Sequence, residues 1–172
     1  MTSDAPWLVQ RVENGRFELL DPAATVDDPA IARLWVAPTR ARGEITYATG
    51  EVWQVTRPER SFRFATASGT LIAVATKPSI VRERFELDLR LLGRKLTVEP
   101  ARPWRRRWRI EEPHGTVGTV ERRGRARQAH ELRLPRVTAE PDDLVVVMGW
   151  LVAVVCTDPP SGWRAADPNR RR

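Results

Sequence analysis

The run Leu144-Val-Val-Val-Met-Gly-Trp-Leu-Val-Ala-Val-Val-Cys156 places thirteen residues in a row without a charged or hydrophilic side chain. A segment apolar on every side has to be enclosed by protein or by lipid. As a helix it extends about 20 Å at ~1.5 Å per residue, short of the roughly twenty residues that a bilayer core needs. As a single strand it would run over roughly 40 Å, well beyond the usual strand. Its flanks favour a helix. Pro141 suits a first-turn position, Asp142 and Asp143 place negative charge at the positive helix end, and Asp158-Pro159-Pro160 stops the run. Six valines pull the other way, because β-branched side chains are weak helix formers. In a chain that is otherwise strand-rich, the enclosure that answers this demand is the axis of a β-barrel. A membrane anchor and a pair of core strands are the alternatives.

The strand signal is period-two alternation. In Phe85-Glu86-Leu87-Asp88-Leu89-Arg90-Leu91 every odd position is apolar and every even one charged, as a half-buried strand requires. The same reading selects Trp7 to Val12, Phe17 to Leu20, Ile45 to Tyr47, Val52 to Val55, Phe62/Phe64, Leu71/Ala73/Ala75 with Ile72/Val74, Leu96/Val98, Trp104/Trp108/Ile110, Val117/Thr119 and Leu132/Leu134. Turn signals divide these runs at short spacing: Asn14-Gly15, Thr49-Gly50, Ser68-Gly69, Gly93-Arg94 and Pro113-His114-Gly115. A short helix around Pro29 to Trp35 is expected after Asp27-Asp28.

Three stretches echo one another: TGEVWQVTR (Thr49 to Arg57), SGTLIAVATK (Ser68 to Lys77) and HGTVGTVER (His114 to Arg122). Each reads as a hairpin corner whose glycine makes the bend and whose apolar residues then enter the core. The glycines stand 19 and then 46 residues apart, too irregular for a solenoid. The expected fold class is mostly β with one buried helix: an antiparallel β-barrel wrapped around a hydrophobic C-terminal helix. One domain is expected over 1–158, best supported over 43–156, with 159–172 as a flexible basic tail.

The Gly-led hairpins SGTLIAVATK and HGTVGTVER, the alternating strand RFELDLRLL and the terminal DDLVVVMGWLVAVVC together resemble the tubby C-terminal-like superfamily, which includes LURP-one-related proteins and phospholipid scramblases. The resemblance covers Thr49 to Cys156. It implies a hairpin barrel around a helix, and a role at anionic membrane lipid in place of catalysis. No copy of the scramblase calcium-binding segment is present.

The chain is otherwise poor in chemistry. His114 falls in an expected turn and His130 near the start of a strand, and neither is expected to serve as metal ligand or catalyst. H-x-x-x-H, C-x-x-C, G-x-S-x-G and phosphate-loop patterns are absent. The single cysteine, Cys156, closes the apolar run and reads as a buried thiol; it excludes an internal disulfide. No catalytic residue, no metal and no cofactor is expected, and the chain reads as a non-enzyme. The N-terminal MTSDAPWLVQRVENG carries an early acid and no apolar core of signal-peptide length, so the expected location is cytoplasmic, peripheral at a membrane.

Charge supplies the one functional lead. The net +7 is regional: between Ala101 and Arg136 eleven Arg face four Glu, and the rest of the chain balances. In Trp104-Arg-Arg-Arg-Trp-Arg-Ile110 alternation places Trp104, Arg106, Trp108 and Ile110 on one face, and Arg105, Arg107 and Arg109 on the other. Arg122, Arg123, Arg125 and Arg127 follow on the adjoining hairpin and loop. Guanidinium groups in register can hold phosphate bidentately, so these seven are the candidate anion-binding residues. The plainer explanation is a solvated face neutralised by Glu86, Asp88, Glu111 and Glu112, in a composition that suits a GC-rich bacterial genome. The expected partner is an anionic membrane lipid. A nucleic acid, which would need Trp104 and Trp108 exposed for stacking, and a structural or protein-binding domain without a small ligand are the alternatives.

Overall fold

The computed structural model describes residues 6–21, 23, 25, 27–77, 84–101, 107–123, 129–135 and 142–157. Among them the order is β1 (Trp7–Glu13), β2 (Arg16–Leu20), β3 (Ala32–Val36), β4 (Arg42–Tyr47), β5 (Val52–Thr56), β6 (Ser61–Thr66), β7 (Leu71–Thr76), β8 (Phe85–Leu89), β9 (Arg94–Pro100), β10 (Arg107–Glu112), β11 (Gly115–Arg123), β12 (Ala129–Arg133) and α1 (Asp143–Cys156). Each strand pairs antiparallel with its neighbours in sequence. β1 then pairs with β12, Trp7 opposite Leu132 and Val9 opposite His130, and the sheet closes without an edge. The first four strands, outside the stretch that carries the resemblance, are therefore part of the closed wall. The expected tail, 159–172, lies outside the described residues.

Alternation becomes an inside and an outside. Leu19, Leu34, Ile45, Val55, Phe64, Leu87, Leu89, Ile110 and Leu132 point inward and are fully buried. The turn glycines expected from the sequence, Gly15, Gly50, Gly69, Gly93 and Gly115, all take positive φ.

One expectation is corrected. Residues 29 to 35 form no helix; Ala32, Leu34 and Val36 alternate into the core as β3, with Arg33 and Trp35 outside. Asp28 does not cap a helix. Its carboxylate accepts the Thr25 backbone N–H at 2.7 Å, and its own N–H donates to the Thr25 carbonyl at 3.1 Å, closing a turn. Ladder bonds to β2 and β4 then outweigh the local start signal.

Bulges correct the phase of two other strands. β10 and β11 slip between Ile110, opposite Gly118, and Glu111, opposite Thr116, so Val117 is skipped. Val120 is then the fully buried residue of β11, not Thr119, and the next inward position is Arg122. A second slip between Phe64 and Ala65 buries both Ile72 and Ala73 of β7.

An eight-stranded barrel is just filled by its own side chains, and diameter grows with strand number, so twelve strands leave a void that something must occupy. α1 occupies it. Residues Leu144 to Val154 and Cys156 are buried, and the valines are tolerated because enclosure repays their helix cost. Asp142 caps the start, its Oδ1 accepting the Val145 N–H at 3.0 Å; Pro141 lies outside the described residues. At the end the Thr157 hydroxyl donates to the Ala153 carbonyl at 2.8 Å. Among the described residues no helix is long and apolar enough to cross a membrane.

The helix runs closest to β12, β1, β2 and β3, and it also approaches β7 across the barrel. Trp150 spans the interior: its ring stands edge-on to Phe62 at 5.0 Å and Phe64 at 5.4 Å on β6, and its Nε1–H donates to the Trp35 carbonyl on β3 at 3.4 Å. Two glycines adjoining this contact have opposite reasons. A Cβ on Gly43 would stand 2.7 Å from the Trp150 ring, an overlap. A Cβ on Gly149 would stand 3.5 Å from Leu34, 3.6 Å from Val9 and 3.7 Å from Leu19, all ordinary contacts. Gly43→Ala is expected to destabilise the fold by about 1–3 kcal/mol through overpacking. Gly149→Ala is expected to stabilise it by about 0.5–1 kcal/mol, through helix propensity and added contact. Chemical denaturation of the two variants checks the pair, and shifts of the same sign refute it.

Candidate functional site

In an up-and-down barrel alternate connections share an end. The β3–β4 turn and the facing ends of β5 and β6, β7 and β8, and β11 and β12 therefore gather where α1 finishes. There they frame a cavity of about 460 Å³ lined by Arg40, Arg57, Lys77, Arg122 and His130, with Phe62, Phe85, Trp108, Val154, Val155 and Cys156 as its apolar part. No acidic side chain is among these residues. Such a volume falls in the range of small-molecule sites, about 300–1,000 Å³.

Why the cations collect here follows from the helix. Its C-terminal carbonyls carry the negative end of the macrodipole, which favours positive charge. Arg11 donates from Nη1 to the Cys156 carbonyl at 3.4 Å, and Arg40 donates from Nη2 to the Thr157 carbonyl. Arg57 lies 5.1 Å over the Phe62 ring, a cation on the aromatic that also contacts Trp150. Arg122 reaches the mouth because the bulge in β10–β11 turns it inward.

At the floor Cys156 Sγ lies 3.8 and 3.7 Å from the two ring nitrogens of His130, and Trp108 stacks obliquely on that imidazole at 6.2 Å. His130 is 3% exposed and Cys156 5%. His130 is thus a core residue, paired across the wall with Arg122 and Val9. His114 stays in its exposed turn, as expected.

The candidate arginines from the sequence divide. Arg105, Arg125 and Arg127 lie outside the described residues, as does Trp104. Arg107 and Arg109 project outward as expected, and each is matched by a carboxylate: Arg107 with Glu121 at 2.9 Å, Arg109 with Glu99 at 3.3 Å and Glu111 at 3.5 Å. Arg123 faces Glu131 at 3.8 Å. The described part of this outer face is a lattice of exposed ion pairs, each worth about 0–1 kcal/mol. Neutralisation comes from Glu99 and Glu121 together with Glu111, while Glu86, Asp88 and Glu112 pair with Arg84, Arg90 and Arg94. Of the described candidates, Arg122 alone joins the cavity. Arg40, Arg57 and Lys77 were not singled out from the sequence, and His130 was considered there only as a residue without a metal or catalytic role. The usable signal was that their positions flank strand ends of the same parity.

The opposite mouth has the opposite charge. Asp142, Asp143 and Glu51 gather around the helix start with Tyr47. Burial, then Asp143, Glu51 and Asp142, pushes the Tyr47 hydroxyl far above its ordinary value, so it stays neutral. Burial first, then Asp142 and Glu51, raises the Asp143 carboxyl above 3.8. The molecule is polarised along its axis, acidic at the helix start and basic at its end, each complementary to the dipole.

In comparison with known proteins, no family model, no curated protein and no solved structure matches the chain.

Because its folded value is raised, Asp143 contributes stability that is present below 3.8 and is lost as pH rises through the folded value. Asp143→Asn is therefore expected to gain on the parent chain as pH rises above 3.8, by under about 1 kcal/mol because the half-exposed group is screened. Thermal melts across the acidic range check this; a difference independent of pH refutes it.

Proposed function

We propose that this chain is a non-enzymatic binding module of the tubby-like kind. It takes an anionic ligand, such as a phospholipid headgroup, in the basic mouth of the barrel. The observation that carries the reading is the cavity itself: three arginines, a lysine and a histidine converge on it and no described lining residue is acidic. Arg11 and Arg40 answer the helix carbonyls, while Arg57, Lys77 and Arg122 supply the remaining positive wall, where guanidinium groups can meet an oxyanion bidentately. The tubby-like assignment draws its support from the architecture, a closed hairpin barrel around a C-terminal helix. The outer face of β10 is the weaker location, since Arg107 and Arg109 already face carboxylates. A nucleic-acid role draws little support from Trp108, which packs half-buried against the core instead of offering a stacking face.

The test is sedimentation with phosphatidylcholine vesicles, with and without phosphatidylserine, at low salt. Binding is expected to require the acidic lipid. At about 1 kcal/mol per basic residue near the surface, the double change Arg57→Glu/Lys77→Glu is expected to weaken it by roughly tenfold or more. Arg107→Glu/Arg109→Glu is expected to change it far less. No binding to acidic vesicles at low salt, or sensitivity confined to the outer pair, overturns the reading.

A further inference from the structure

Val155 breaks a rule that the rest of the helix keeps. Every other apolar residue of α1 is buried, yet Val155 is 42% exposed, and it is exposed into the basic mouth. Beside it an apolar crevice runs between α1 and the wall of β8 to β11, lined by Phe85, Val98, Trp108, Val120, Met148, Leu151, Val152 and Val155. It lies on the side of the helix away from β1, β2 and β3, the strands to which the helix runs closest. Its free room is about 20 Å³, enough for one water-sized group, and with apolar walls it stays dry. Phe85, Trp108 and Val155 belong to both spaces, so mouth and crevice are continuous.

We propose that the mouth takes an anion carrying a single alkyl chain, the head on Arg57, Lys77 and Arg122 and the chain on Val155, Trp108 and Phe85. This rests on the reading of the mouth as an anion site and adds the chemistry of the ligand's other half. A bare inorganic anion would leave Val155 and the crevice entrance in water. A chain covers them, and its end fills the crevice. The head is an oxyanion, carboxylate or phosphate, since guanidinium forks suit both. The chain that fits is short, because the cavity is of small-molecule size and the crevice admits little beyond a terminal methyl.

Calorimetric titration of the full chain with inorganic phosphate and with butyl, hexyl and octyl phosphate monomers tests the proposal, octanoate being the carboxylate arm. Affinity is expected to rise by up to roughly fourfold per methylene buried and then to level off, leaving phosphate at least tenfold weaker than the best alkyl phosphate. Val155→Asn, at an exposed position, is expected to keep the parent melting temperature and to flatten the rise in affinity from phosphate to its longer alkyl esters. The tighter of octyl phosphate and octanoate identifies the head. Equal affinity for phosphate and its alkyl esters overturns the chain site and leaves the anion reading standing. A rise that survives Val155→Asn places the chain elsewhere and also overturns it. Failure of every probe to bind removes both.

Discussion

The fit of one apolar helix inside a twelve-stranded sleeve is the interaction on which the rest of this molecule depends. Neither part is viable alone. A closed wall of twelve strands has an interior too wide for its own side chains, and a helix made of Leu144 to Cys156 has no polar face to offer water. Bringing them together buries both apolar surfaces at once. The contact is not symmetric: Gly149 faces Val9, Leu19 and Leu34, and Trp150 turns its ring onto Phe62 and Phe64 beside Gly43. The helix backbone runs closest to β12, β1, β2 and β3 while Trp150 reaches β6 across the interior, and the narrow apolar crevice between the helix and β8 to β11 opens at the basic mouth.

Placing a helix on the axis also sets the electrostatics. Its dipole points along the barrel, and the strand ends answer it with Asp142, Asp143 and Glu51 at one mouth and Arg11, Arg40, Arg57, Lys77 and Arg122 at the other. The basic mouth is therefore first a structural response to helix carbonyls. Its capacity for a ligand comes from Arg57 and Lys77, which stand beside the helix end without bonding its carbonyls and border a cavity with an apolar floor. At the acidic mouth the charge is moderated by the raised carboxyl of Asp143.

Much of the fold was legible in local pattern. Alternation marked Phe62/Phe64, Leu87/Leu89 and Leu96/Val98 as inward pairs, the five turn glycines sit at positive φ, and the acids expected at the helix head stand there, though the helix starts at Asp143 and not at 141. The site was much less legible. Reading Pro29 to Trp35 as a helix removed a strand and so reversed the parity by which later turns are assigned to one end or the other. The bulge that skips Val117 changed the face of every following residue in β11, which is why Arg122 enters the mouth while Arg123 stays on the outer wall beside Glu131. Alternation did place Arg107 and Arg109 outside. It could not say that Glu99 and Glu121, from neighbouring strands, would stand opposite them.

What the amino-acid sequence determined by itself is whatever acts over a few residues: strand periodicity, turn positions, and a helix so apolar that a barrel axis could receive it. Tertiary structure alone decided which charges share a space. Arg40, Arg57, Lys77, Arg122 and His130 are far apart in the chain, and no local rule links them. They meet because closing the wall, with its slips in register, brings alternate strand ends around one helix terminus, and Coulomb interactions depend on distance in space and not along the chain.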